Sequence, residues 1–333
     1  MTNFAIWPPR PHFAQTIRFL EVPAIGSSGN DPEGRNLRVT VYEPLSYYDS
    51  WPYPWPHPWP PYPWPHPPWP PHGFPHPALR RLVVMTHGSG TALENSEQTM
   101  PAFLPATRFF LSRGYVVATV LRRGSGIVGG TQDDRFVVTS GASRIPPGRE
   151  TALDIWTTIA YLANQPAAYR LRDVLIVGHS AGGWGGVVAA SDVQLPAQAP
   201  PMLPGIAWPA SPLVIKGVIN FAGGRGGNQG PNGTVFEPGN LIADAGALGQ
   251  GSRIPTLWFY AEGDSFFSPA LAQSMHDSFS ASGGAGQLIL LPALSRVPGD
   301  ASDVHDGHHV FTADIGLQYW TPAAANFLDS IGM

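Results

Sequence analysis

The decapeptide Val174-Leu-Ile-Val-Gly-His-Ser-Ala-Gly-Gly183 decides the fold of this 333-residue chain. Its first four residues form a short apolar run of the kind that fills a buried strand. From Ala181 to Ser191 the chain is glycine, alanine, valine, one tryptophan and a closing serine, which reads as a buried helix. Between the two stands G-x-S-x-G, as Gly178, His179, Ser180, Ala181 and Gly182. A strand-to-helix turn this tight leaves its flanking positions no room for side chains, hence the glycines. It raises the serine Oγ above the sheet, with the first helical N–H groups beside it. Strand, turn and helix are all in place, so Ser180 is the expected nucleophile. The bland alternative is a structural serine in a glycine-rich turn.

On either side of this turn, apolar runs recur at Leu37–Tyr42, Leu82–Thr86, Tyr115–Leu121, Val214–Phe221, Thr256–Tyr260 and Gln287–Leu291. Helical patterns fall between most of them. The clearest is Arg149–Ala163, where Ala152, Ile155, Trp156, Ile159 and Leu162 share one face; Pro269–Ser280 and Thr321–Ser330 are the last. Strands alternating with helices predict an α/β fold, with a mostly parallel sheet covered on both faces. The runs before residue 45 have no helix between them and are expected to pair antiparallel. A single domain, residues 1–333, accounts for the pattern, since large α/β enzymes exceed ~150 residues as one unit.

One segment departs from it. Trp51–Pro77 reads WPYPWPHPWPPYPWPHPPWPPHGFPHP, with 14 prolines, five of the 11 tryptophans and the hexamer YPWPHP twice. Proline at nearly every second position removes the donors that helices and central strands need, so polyproline II is the expected conformation. Ordinary α/β sequence resumes on both sides, which makes residues 51–77 an insert. Three roles suit it: packing on its own domain, contact with a second copy of the chain, or gripping an aromatic or polymeric ligand.

Composition removes several classes of function. The net charge is −4, which gives no footprint for nucleic acid. Charged residues are 13%, about half of the usual ~25%, and 38 glycines and 38 prolines fill much of that share. Lys216 is the sole lysine, so all lysine chemistry rests on it. Cysteine is absent, which excludes disulfides, zinc ribbons, iron–sulfur sites and a thiol nucleophile. No run of ~18 apolar residues predicts a membrane span. The N-terminal MTNFAIWPPRPHF shows no signal peptide, which fits either the cytoplasm or secretion with a leader removed.

A serine nucleophile needs a base, and the base needs an orienting acid, in the order serine, acid, histidine for this architecture. The run Thr256–Tyr260 ends in Ala-Glu-Gly-Asp264, and ligand-facing residues lie beyond the carboxyl ends of such strands. Asp264 is therefore the expected acid, with Glu262 its competitor and a helix-capping turn the alternative role. Farther on, Asp303-Val-His-Asp-Gly-His-His-Val-Phe311 offers His308, His309 and His305 as the base. The D-G-H turn suits a histidine leaving a loop, which favours His308. Asp303, His305, Asp306 and His308 are also metal-ligand types, but a serine and an acid already account for a histidine here. No metal and no cofactor is expected. The oxyanion hole is assigned to the amides of Ala181, next to the nucleophile, and Ser89, in the His87-Gly-Ser-Gly90 turn after Leu82–Thr86.

Two glycine-rich motifs compete for attention. Gly124-Ser-Gly-Ile-Val-Gly129 matches G-x-G-x-x-G, yet it lies outside the first strand–helix–strand unit and no helical period follows it. Gly223-Gly-Arg-Gly-Gly227 lacks the G-K-[ST] ending of a phosphate loop and reads as a strand-end loop lining the site, with Arg225 expected in a structural role and contact with a substrate carboxylate the alternative.

These motifs together, HGSG, RRGSG, GHSAGG, NFAGGRGG, WFYAEGDSFF and DGHHVF, resemble the α/β-hydrolase superfamily, and most of all its dienelactone-hydrolase-like branch. The likeness runs from about Ala14 to the C-terminus, omitting the insert. It implies a nucleophile at Ser180, an acid at Asp264 and a base at His308, and a serine esterase acting on a small or polymeric ester. The founding dienelactone hydrolases use cysteine where this chain has Ser180, so the likeness does not imply a dienelactone substrate. The insert matches nothing in that family. An amidase or peptidase with the same triad, and a non-catalytic binding protein using the proline–tryptophan arm, are the alternatives.

Overall fold

Apolar residues in the strand runs alternate between two cores, and that alternation places a layer of helices on each side of the sheet. The computed structural model describes residues 15–26, 29–30, 36–44, 80–89, 101, 103–128, 140–165, 171–191, 213–228, 234–294 and 306–333. The Trp51–Pro77 insert, Asp303 and His305 lie outside them. In chain order the main elements are β1 (Gln15–Pro23), β2 (Asn36–Pro44), β3 (Arg80–Thr86), α1 (Leu104–Leu111), β4 (Val116–Leu121), α2 (Ile145–Ala163), β5 (Leu171–His179), α3 (Ala181–Ser191), β6 (Val214–Phe221), α4 (Pro238–Gly251), β7 (Thr256–Ala261), α5 (Pro269–Ala281), β8 (Gly286–Leu291) and α6 (Leu317–Ser330).

The eight strands form one sheet in the order β1-β2-β4-β3-β5-β6-β7-β8. β2 is antiparallel to both of its neighbours, as expected for the runs before residue 45, and the other pairs are parallel. On β5, Val174 and Ile176 face a core shared with α2, α3, α4 and α5, while Leu175 and Val177 face the one shared with α1 and α6. A side-chain period of two produces this partition. Both faces are dry, so the central strands read as continuous apolar runs.

α3 is buried from Ala181 to Ala190, the environment that an all-round apolar helix requires. α2 begins four residues before the expected Arg149, because Pro146 and Pro147 fall in its first turn, where a missing N–H costs nothing. The neighbours β3 and β5 send their following helices, α1 and α3, to opposite faces of the sheet. In open α/β sheets, ligands usually bind beyond the carboxyl ends of strands at such a divergence. Among the described residues, no helix is long and apolar enough to cross a membrane.

Candidate active site

Ser180 stands at the β5–α3 turn with φ of 55°, a left-handed backbone that costs a non-glycine residue about 1–3 kcal/mol. Its own hydrogen bonds hold it there. The Ser180 amide donates to the Phe221 carbonyl at 2.9 Å, and its carbonyl accepts from the amides of Trp184 at 3.0 Å and Gly224 at 3.3 Å. The flanking glycines are required by contact. A Cβ on Gly178 would stand 2.3 Å from the Gly182 carbonyl oxygen, and one on Gly182 would stand 2.5 Å from that of His87.

Asp264 and His308 meet on adjacent loops, after β7 and at the 3-10 turn Gly307–Val310. His308 Nδ1 lies 3.1 Å and 3.2 Å from the two carboxylate oxygens, and both side chains are at most 5% exposed. The carboxylate also accepts the amides of Phe266 at 2.8 Å and Phe267 at 2.9 Å. Nδ1 therefore donates, which leaves Nε2 of the neutral ring as the basic nitrogen. Glu262, the competitor, is exposed, and His309 lies near Thr312, with its Nδ1 3.5 Å from Thr312 Oγ1. Among the described residues, no hydrogen bond joins the Ser180 hydroxyl to the His308 ring. Such bonds are commonly long before substrate enters.

Two positioning side chains escaped the sequence reading. The His179 Nε2–H donates to the His308 carbonyl at 2.8 Å, tying the residue before Ser180 to His308. Burial first, then the neighbouring His308, holds the His179 pKa well below the usual 6.5, so this ring stays neutral. Asp306 accepts the amides of His308 and Ser265, each at 2.9 Å, and the Ser265 hydroxyl at 2.5 Å. It thus clips the loop of Asp264 to the turn of His308. Burial alone would raise its pKa, but the Ser265 hydroxyl and those amides outweigh it and hold the carboxyl below 3.8. The only sequence signal for Asp306 was the D-G-H turn itself.

Of the two expected oxyanion donors, Ala181 opens α3, where the first amides have no partner within the helix. Ser89 follows Gly88, whose Cα faces Ser180 so closely that a Cβ there would come within 2.7 Å of Ser180 Cβ. Gly224 of the glycine loop bonds Ser180, and Arg225 turns inward, its Nη2 donating to Thr151 Oγ1 at 2.8 Å and the Pro147 carbonyl at 3.2 Å. The loop thus backs Ser180, and the Arg225 guanidinium bonds to the protein's own groups.

No family model matches the chain, and no curated protein sequence matches it. Solved structures do. A protein named as a dienelactone hydrolase from Klebsiella pneumoniae subsp. pneumoniae superposes with a TM-score of 0.51 at 12% identity, over 94% of this chain and 98% of its own. An esterase of Pyrococcus furiosus gives 0.53 at 11%, over 97% and 94%. An acylaminoacyl peptidase of Pyrococcus horikoshii gives 0.53 at 12%, over 95% of this chain but 41% of the peptidase. The fold is that of the α/β-hydrolases, with a largely parallel eight-stranded sheet.

Proposed function

We propose that this chain is a serine hydrolase that cleaves carboxylic esters through an acyl-enzyme. The observation that carries the reading is the left-handed Ser180 at the β5–α3 turn, with a buried Asp264–His308 pair on the neighbouring loops. Ser180 Oγ attacks the ester carbonyl carbon while His308 Nε2 takes its proton. The amides of Ala181 and Ser89 receive the oxyanion, and Asp264 holds the imidazolium. Collapse breaks the bond to the alcohol oxygen, which leaves with the proton from His308. Water, activated by the same ring, then releases the acid and restores Ser180. Support for the base assignment comes from the tautomer that Asp264 imposes, which points the free lone pair away from the carboxylate.

A fluorophosphonate probe should label the wild-type protein and not Ser180→Ala. A panel of esters, amides and thioesters should show esters turned over fastest. Amides turned over ahead of esters would make the chain a peptidase or amidase with the same triad. A folded protein that takes no label would be a binding protein on a hydrolase fold.

A further inference from the structure

The mechanism above uses neither Arg122 nor His87, although both are buried beside the oxyanion loop, 1% and 3% exposed. Arg122 is the residue after β4, and its guanidinium turns back beneath the end of β3. Nη2 donates to the His87 carbonyl at 2.6 Å and makes a longer contact with the Gly88 carbonyl at 3.4 Å. The Arg122 backbone amide donates to His87 Nε2 at 3.2 Å. An amide can only donate, so Nε2 accepts and the neutral ring carries its proton on Nδ1. That proton goes to the Gly88 carbonyl at 2.7 Å.

Two successive peptide units are therefore gripped by their carbonyl ends. Each peptide is planar, so the Gly88 carbonyl and the Ser89 N–H belong to one rigid group and point in opposite directions. Donors on the carbonyl draw electron density toward it and make the N–H a stronger donor, and a cationic donor does so most. The far end of Arg122 is anchored as well. Its Nη1 donates to Thr151 Oγ1 at 2.8 Å, the same oxygen that accepts from Arg225, next to the Gly224 that bonds Ser180. One threonine hydroxyl thus links the loop in front of the nucleophile to the loop behind it.

We infer that Arg122 and His87 are positioning residues of the oxyanion hole: they hold and polarise the His87–Gly88–Ser89 peptides, with Thr151 as their anchor. The inference rests on the serine-hydrolase reading of Ser180. Neither side chain touches substrate.

The test compares wild type with Arg122→Met, Arg122→Lys and His87→Phe. Ester kinetics are measured beside inhibition by a trifluoromethyl ketone, which mimics the tetrahedral intermediate, and by the carboxylate product, which does not. Arg122→Met should lower kcat by about 10²–10³-fold, the loss seen when one oxyanion donor is removed. KM should stay within about threefold, and the ketone Ki should rise by the factor that kcat/KM falls. Arg122→Lys, which keeps a cationic donor, should recover to within about tenfold of wild type. His87→Phe should lose ketone affinity and kcat together by at least about tenfold. Should Arg122→Met not fold, Arg122→Lys and His87→Phe decide the matter. Folded variants with unchanged kcat, or with equal losses of ketone and product binding, would overturn the inference. A wild-type protein that neither takes the fluorophosphonate label nor turns over esters would instead overturn the proposed function.

Discussion

In the proposed mechanism the Ser180 side chain carries the chemistry, and the left-handed backbone beneath it is held by hydrogen bonds to its neighbours. Ser180→Ala should fold normally and lose ester turnover by several orders of magnitude, on the order of 10⁶. His308→Ala should match it, because members of a triad act as a unit, whereas His309→Ala should keep most activity. Steady-state ester kinetics on the three variants check this, and the opposite ranking of the two histidines would sink the base assignment. His179 adds a stability term whose sign is set by its depressed pKa. The ring stays neutral when folded, while the unfolded chain binds a proton near 6.5. Its contribution is complete above pH 6.5 and is lost as the pH falls below it, at about 1.4 kcal/mol per pH unit. Urea unfolding of wild type and His179→Gln between pH 7.5 and about 5 should show the extra slope in wild type alone. Ser180 was legible because the spacing of its glycines is a steric requirement. His179 was not, because the motif leaves its position open and its partner lies 129 residues away.

At the level of elements, the sequence revealed what is buried on two faces and hid what is buried on one. β5, at Val174–Val177, and β7 stood out as unbroken apolar runs, whereas in β1 exposed Ile17 and Phe19 alternate with buried Val22 and half-buried Leu20. Such a strand resembles a loop in composition. α1, eight residues with Pro105 in its first turn, and α4, which holds four glycines, also lacked a readable period. One tightly constrained junction is the one between α3 and the end of β3. A Cβ on Gly182 would meet the carbonyl oxygens of His87 and Thr86 at 2.5 Å and 2.7 Å, and backbone cannot yield as a side chain does. Gly182→Ala should therefore lower stability by about 1–3 kcal/mol or more. It should also lower turnover beyond the loss of folded protein, since the displaced carbonyl belongs to the loop proposed to bind the oxyanion. A wild-type urea midpoint in that variant would show that α3 can slide away from β3.

For the whole molecule, the direction of one strand sets the edge of the sheet at which the described residues flanking the insert lie. β2 runs against its neighbours, so Pro44 at its end lies near the start of β4, where Tyr42 pairs with Val117. Arg80 opens β3 at the same edge of the sheet. Ser180, Asp264 and Gly88 follow the carboxyl ends of their strands, at the opposite edge, and a seven-residue strand spans roughly 23 Å. Replacing Trp51–Pro77 with a short Gly/Ser linker should keep p-nitrophenyl acetate turnover within about tenfold. Oligomer mass, heat stability or binding of a bulky ester should change instead. A folded deletion variant without small-ester turnover would show that the insert helps to build the site. The last residues of the chain reach the same edge as Pro44 and Arg80: the Gly332 carbonyl accepts from Arg81 at 3.4 Å, and Gly332 lies beside Lys216 near the start of β6. A bead or electrode tethered through Met333 would thus present every copy with the Ser180 edge of its sheet facing the bulk liquid.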